Sequence, residues 1–93
     1  MNYPSGRADF EAIGRSGTPF ENIGLLAEFK HFPKTKGDRI LALTEALDED
    51  KEQVTRYAKD LQRVYPNMQI NCYLIYTIGA QDYRFFEVWA YSP

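Results

Sequence analysis

Apolar and polar positions along this chain form four segments with the character of β-strands. Residues 7–13 alternate in polarity, which is typical of a strand whose two faces differ. Residues 23–30 are apolar until near their end, as in a buried strand. Residues 68–78 and 83–91 are rich in β-branched and aromatic side chains, and residues 79–82 between them favour a turn. The pattern therefore predicts four strands.

One segment has the spacing of an amphipathic helix. Apolar side chains such as Val54, Tyr57 and Leu61 recur every three or four residues, and acidic residues occupy positions 48–50, where a helix N-terminus favours negative charge. Pro66 cannot continue a helix. These signals predict a helix over residues 48–65. Residues 38–47 are expected to form a further helical turn or two, and residues 14–22 and 31–37 to be loops.

The order strand, strand, helix, strand, strand predicts the topology. The first two strands are expected to pair as an antiparallel hairpin about residues 17–19, and the helix to cross over to a third strand that lies parallel to the second. The fold class is therefore α/β or α+β, with a small mixed sheet of about four strands and one long crossover helix. One long helix leaves one sheet face poorly covered, unless a partner or a missing segment packs there.

Length and composition limit the class of protein. Ninety-three residues suit a single domain spanning 1–93. One cysteine and one histidine provide no basis for an internal disulfide or a structural zinc site, and they fit a reducing, cytoplasmic setting. No apolar run approaches the length of a membrane span. Cys72 is expected to be a buried, inert thiol, and the aromatic residues of the last strand to be core or an association surface: Phe85, Phe86, Trp89 and Tyr91.

The formal net charge of −2 is unevenly distributed. Lys30, Lys34, Lys36 and Arg39 form a basic cluster, and five acidic residues follow between positions 45 and 52. A basic loop can contact phosphates even in an acidic chain. The alternative is a solvated loop beside the acidic start of a helix.

Three polar residues are expected to meet across the predicted hairpin. A hairpin centred near position 18 places Asp9 opposite Glu28, with their Cβ atoms about 4.5–5.5 Å apart. Two ionised carboxylates at that separation repel each other, so one takes up a proton or a cation lies between them. A hard divalent ion such as Mg²⁺ suits one or two carboxylates with a substrate phosphate. Lys30 lies on the same face of the strand as Glu28 and could stabilise charge on a phosphate.

The helix contributes a second pair of candidates. Gln53 and Tyr57 are one turn apart, so both face the same side and a helix packed across the sheet could direct them toward the carboxylates. Tyr57 also belongs to the apolar stripe, where a structural role is open. Glu11 and Glu21 are the remaining acids that could join the site, against the alternative that they are solvated. His31 follows Lys30 directly and could touch a phosphate, but the favoured expectation is a loop histidine without a partner.

In their order along the chain these residues resemble a known group. Gly6-Arg7-Ala8-Asp9, then Glu28-Phe29-Lys30, then Gln53 and Tyr57 in a following helix resemble the PD-(D/E)xK nuclease superfamily, especially its RecB-like branch and the small nuclease domains attached to bacterial ATPases. The resemblance covers roughly residues 6–78. It implies a restriction-endonuclease-like core and hydrolysis of phosphodiester bonds, in DNA rather than RNA.

The resemblance also implies a role for each matching residue. Asp9 and Glu28 would bind Mg²⁺ or Mn²⁺, and Lys30 would assist the attacking water. Gln53 and Tyr57 would support the site or the substrate. The family core begins with a helix and a strand, and only eight residues precede Asp9. The expectation is therefore a fragment of a longer protein, a fold completed by a homodimer or larger parent protein, or a reduced, inactive domain.

Two further functions remain open on the same scaffold. One is a non-catalytic interaction or dimerisation module, which would use the uncovered sheet face and the aromatic last strand. The other is a domain that binds nucleic acid without cleaving it, and its binding would be salt-sensitive and independent of metal.

Overall fold

The structure is a computed structural model that describes residues 2–3, 6–7 and 9–91, and the side chains of residues 9–88. None of the helices in these ranges is long and apolar enough to cross a membrane. The elements, in chain order, are β1 (Asn2–Tyr3), β2 (Gly6–Arg7), β3 (Phe10–Ile13), β4 (Ile23–Phe32), a 3₁₀ turn (Lys34–Lys36), α1 (Gly37–Leu41), α2 (Asp48–Val64), β5 (Gln69–Ile78) and β6 (Asp82–Tyr91).

The described strands include one four-stranded mixed sheet in the order β3-β4-β5-β6. β3 is antiparallel to β4, β4 is parallel to β5, and β5 is antiparallel to β6. The long helix α2 makes the crossover between the two parallel strands. β1 and β2 pair with each other in a separate two-stranded ribbon. This α+β fold confirms the predicted four-stranded mixed sheet, the antiparallel hairpin of its first two strands, the parallel pairing of the next strand with the second, and the crossover helix.

Two predicted boundaries are wrong. β4 continues to Phe32, because β5 pairs with it along its whole length, up to Phe32 opposite Ile78. His31 therefore lies in a strand and not in a loop. Pro33, which has no N–H and a fixed φ, follows the last strand residue. The segment predicted as a strand over 7–13 is divided between β2 and β3.

The helical turn or two expected within residues 38–47 is α1, which spans Gly37–Leu41. α1 ends at Leu41, and the guanidinium group of Arg84 on β6 then donates to the carbonyl oxygens of Ile40, Leu41 and Leu43, at 3.2, 2.6 and 2.7 Å. These bonds satisfy carbonyls that a longer helix would have paired internally. A distant arginine therefore stabilises the end of α1.

Both helices pack on one face of the sheet. Every second side chain of β5 is buried, and α2 packs its apolar stripe against them. Cys72 is fully buried as expected, and burial raises the pKa of its thiol to about 12. The buried cluster comprises Leu26, Phe32, Ile40, Ala46, Val54, Tyr57, Ala58, Leu61, Met68, Ile70, Cys72, Leu74, Tyr76, Ile78 and Phe86.

The opposite face of the sheet is apolar and open. We call it the open face; it is lined by Phe10, Leu25, Ala27, Phe29, Tyr73, Ile75 and Phe85. Phe10, Phe29 and Phe85 remain 49%, 52% and 56% exposed, and the rings of Tyr73 and Phe85 stack with centroids 5.0 Å apart. On the last strand, Phe86 is core and Phe85 is open surface, while the side chains of Trp89 and Tyr91 lie outside the described ones.

The hairpin between β3 and β4 depends on its loop. The Gly14 N–H donates to the Ile23 carbonyl over 2.9 Å, and a Cβ on Gly14 would lie 1.4 Å from the Phe20 carbonyl oxygen, so only glycine fits. Glu21 accepts a hydrogen bond from the Gly17 N–H at 2.8 Å. The Glu21 carboxylate therefore stabilises the loop.

Candidate active site

The hairpin register brings Asp9 beside Glu28. Phe10 pairs with Ala27, so the next position outward sets Asp9 against Glu28, as the expected hairpin centre required. Asp9 lies just before β3, and its Oδ2 accepts a hydrogen bond from the Phe29 N–H at 2.9 Å. The carboxylate thus satisfies a backbone donor of β4 beyond the end of its partner strand. Asp9 has a structural role here in addition to any chemical one.

Glu28 has the most unusual environment among the candidate residues. Its side chain is partly buried, and its Oε1 atom has no hydrogen-bond partner among the described residues, so Asp9 satisfies at most the other oxygen. Burial, then the hydrogen bond and charge of Asp9, then the charge of Asp50, raise the pKa of Glu28 to about 8. Like charges and desolvation both oppose ionisation. At neutral pH this carboxyl group therefore holds a proton unless a cation replaces it.

Lys30 lies two residues beyond Glu28 on the same face of β4. Its Nζ is 3.4 Å from Asp50 Oδ1 and 3.5 Å from Glu49 Oε1, both in the first turn of α2. The ammonium group also lies 5.3 Å from the centroid of the Phe32 ring. The side chain remains 40% exposed. The lysine is thus oriented by helix carboxylates and still accessible to a substrate.

Asp50 and Tyr76 are part of this site although sequence reasoning gave them no role in it. The Tyr76 hydroxyl is buried with its ring, donates to Asp50 Oδ2 over 2.5 Å and accepts from the Leu47 N–H over 3.0 Å. Burial, followed by the bond to Asp50, raises the pKa of the Tyr76 phenol well above its usual value. The phenol therefore stays protonated and holds the first turn of α2 against β5.

Both residues could have been found from spacing. Asp50 is three residues before Gln53, and on a helix that separation places two side chains on one face. Tyr76 is the partner of Lys30 in the parallel register of β4 and β5. Favourable charge at a helix N-terminus also accounts for the acidic run at positions 48–50, so the run by itself does not indicate the inward position of Asp50.

Gln53 lines the same small cleft as Glu28, Lys30 and Asp50, whereas Tyr57 does not. Gln53 donates from Nε2 to the Tyr57 hydroxyl over 2.6 Å. Tyr57 is 4% exposed and belongs to the buried cluster. Tyr57 therefore orients Gln53 from within the core and does not line the cleft itself.

Glu28, Lys30, Asp50 and Gln53 surround a small cleft between the second half of β4 and the first two turns of α2. Its volume is about 180 Å³, and we call it the carboxylate cleft; it is lined by Glu28, Phe29, Lys30, Asp50, Gln53 and Leu74. The cleft lies toward the carboxyl-terminal halves of the parallel strands β4 and β5, and ligands of α/β sheets commonly bind beyond that side of the sheet. A larger groove of about 460 Å³ runs along α2 and contains none of the predicted site residues.

The cleft can bind cations or take up protons. Asp9, Glu28 and Asp50 interact electrostatically, and Lys30 is the one cationic residue among those that line it. Within the described part of the chain, no group of three or more His, Cys, Asp or Glu side chains is arranged to hold a metal ion. A cation here would therefore have two protein carboxylates and take its other ligands from water or substrate.

His31, expected to have no partner, has one. Its Nδ1 lies 2.9 Å from the Thr77 hydroxyl on the neighbouring strand. The basic residues that follow it lie on the 3₁₀ turn and on α1.

Comparison with known proteins adds no assignment. No protein-family model, curated protein or solved structure matches the chain. The functional argument therefore depends on the geometry of this cleft and on the sequence resemblance.

Proposed function

We propose that the chain is a metal-dependent nuclease domain of the PD-(D/E)xK type, with a restriction-endonuclease-like core, which hydrolyses phosphodiester bonds in DNA. The observation that carries the proposal is the environment of Glu28. This carboxyl group lies beside Asp9 and two residues from Lys30, and its pKa is raised to about 8. A carboxyl group whose pKa is strongly raised by burial and by a neighbouring charge is a common feature of functional sites.

The residues fit a bound Mg²⁺ or Mn²⁺ ion. Glu28 Oε1 is buried and has no partner among the described residues, and a cation would satisfy it and relieve its repulsion with Asp9. Asp9 and Glu28 would hold the ion. When bound, such an ion lowers the pKa of a coordinated water and neutralises charge on a phosphate.

The other residues of the cleft have separate roles in this proposal. Lys30 donates hydrogen bonds to a phosphate oxygen or orients the attacking water. Asp50 positions Lys30, and Tyr76 positions Asp50. Gln53 faces the substrate, and its amide is oriented by the Tyr57 hydroxyl.

A direct assay tests the proposal. Purified protein is incubated with supercoiled plasmid and with labelled single- and double-stranded DNA, in Mn²⁺, in Mg²⁺ or in EDTA. We expect cleavage with Mn²⁺ and none with EDTA, because two carboxylates without a cation cannot neutralise a scissile phosphate. A labelled RNA of the same sequence reports substrate preference. Intact DNA at high enzyme concentration in Mn²⁺ would refute the nuclease proposal.

The open face favours a second candidate function, a dimerisation module in which two copies pack their open faces together. Its lining contains no charged residue, so the same patch on a second copy can pack against it with two-fold symmetry. The patch spans four strands about 4.8 Å apart, which gives roughly 400 Å² on each copy. A pair would therefore bury about 800 Å², which corresponds to a weak, concentration-dependent dimer.

Replacing Phe29 and Phe85 together by serine tests this dimer. We expect the wild type to shift from monomer to dimer between micromolar and millimolar concentration in sedimentation equilibrium, and the double variant to stay monomeric. Exchanging Phe20 for serine is the matched control, because Phe20 is 63% exposed and lies outside the open face. A wild type that is monomeric throughout, or a Phe20→Ser variant that also loses its dimer, would contradict the assignment.

A further inference from the structure

A second, positively charged groove adjoins the carboxylate cleft. Its volume is about 320 Å³, and we call it the basic groove; its charged lining residues are Lys30, Lys36, Arg39 and Glu49. Its floor is apolar and includes Ile40 and Leu47. Lys30 lines both cavities, so the basic groove continues directly from the cleft.

The positive charge of this groove is largely uncompensated. Lys30 is paired with Asp50 and Glu49. Lys36 and Arg39 form no ion pair with any residue among 9–88, the part of the chain whose side chains are described. Both are exposed, on the 3₁₀ turn and on α1. Two free cations therefore lie beside a cleft that is rich in carboxylates.

A ligand that extends from the basic groove into the cleft meets lysine and arginine first and carboxylates next. The cleft repels anions unless a cation is present, whereas the basic groove attracts them. A nucleic acid strand has one phosphate for each nucleotide, and a protein gains affinity by neutralising successive phosphates with lysine and arginine. We propose that Lys36 and Arg39 bind phosphodiester groups of a nucleic acid strand that extends from the carboxylate cleft. This inference rests on the proposed nuclease function and assigns its substrate-binding subsite.

Binding without metal tests the subsite separately from catalysis. The probe is a fluorescein-labelled single-stranded 12-mer DNA, followed by anisotropy in EDTA at several salt concentrations. We expect the double variant Lys36→Ala with Arg39→Ala to bind at least about tenfold more weakly in low salt. The slope of log affinity against log salt should fall by about 1.4 in magnitude, because each contact with a single strand contributes about 0.7.

The chain provides a control with the same change in charge. Arg56 and Lys59 are exposed on α2 and line the larger groove, which shares no lining residue with the cleft. Replacing both by alanine should change the affinity by less than about twofold. Far-ultraviolet circular dichroism and thermal melting show whether each variant is folded.

The possible outcomes are distinct for the two proposals. Selective loss of binding in the Lys36/Arg39 variant supports the subsite even if the wild type cleaves nothing, in which case the nuclease proposal alone fails. Equal losses in both double variants, or no loss in either, overturn the subsite even if cleavage occurs. Absence of any binding by the wild type in low salt also overturns it.

Discussion

Replacement of Lys30 by alanine should lower Mn²⁺-dependent DNA cleavage by at least about 100-fold, the usual effect of removing a group that stabilises developing charge. Lys30 is the one cation among the residues that line the carboxylate cleft, and Asp50 holds its ammonium group at 3.4 Å. The fold should persist, because partly exposed ion pairs contribute only about 0–1 kcal/mol. Initial cleavage rates at equal protein concentration give the measurement, with circular dichroism as the check on folding.

Lys51→Ala is the matched control for this variant. Lys51 is also a lysine ion-paired to acidic residues, at 2.6 Å from Glu45 and 3.4 Å from Asp48, but it does not line the cleft. We expect its cleavage rate to stay within about twofold of the wild type. If Lys30→Ala cleaves as fast as Lys51→Ala, Lys30 has no catalytic role, and the resemblance to the nuclease family loses its central residue.

The free energy of unfolding of the wild type should fall as the pH rises from 5 to 9, by a few kcal/mol. The pKa of Glu28 is raised from 4.5 to about 8, so between these values the folded protein retains a proton that the unfolded chain has released. The stabilisation linked to this proton is complete below pH 4.5 and is lost as the pH rises through 8. Urea denaturation at unit pH intervals measures the slope.

Glu28→Gln should remove most of this dependence. Glutamine is neutral at every pH and is close in shape to the protonated glutamic acid, so the variant should match the wild type below pH 4.5 and exceed its stability increasingly up to pH 9. Glu52→Gln, on the exposed side of α2, serves as the control and should retain the wild-type slope. A wild-type stability that is constant from pH 5 to 8 would be incompatible with the environment described for Glu28.

Adding Mn²⁺ to the same titration links stability to the proposed metal site. A cation held by Asp9 and Glu28 favours the ionised carboxylates, so binding releases the Glu28 proton. The metal should therefore stabilise the wild type more at pH 8 than at pH 5 and have little effect on Glu28→Gln.

Much of the site was predictable because its main distances follow from strand and helix periodicity. The hairpin loop centred near position 18 places Asp9 opposite Glu28, and alternation along β4 places Lys30 on the same face as Glu28. Helical spacing likewise places Gln53 near Tyr57, and the structure has the bond between them. These relations are local or depend on one turn, so they can be derived from residue spacing.

The amino-acid sequence by itself determined the order of the elements, the mixed four-stranded sheet, the crossover helix and the uncovered face, because hydrophobic periodicity and chain connectivity restrict these strongly. Only the tertiary structure decided which acid of the 48–50 run turns inward, that Tyr76 holds it, and that Arg84 terminates α1. The same applies to the pKa of Glu28, which depends on burial and on charges from two other segments. Those properties arise where distant segments pack together, and spacing along one segment does not determine how it packs against another.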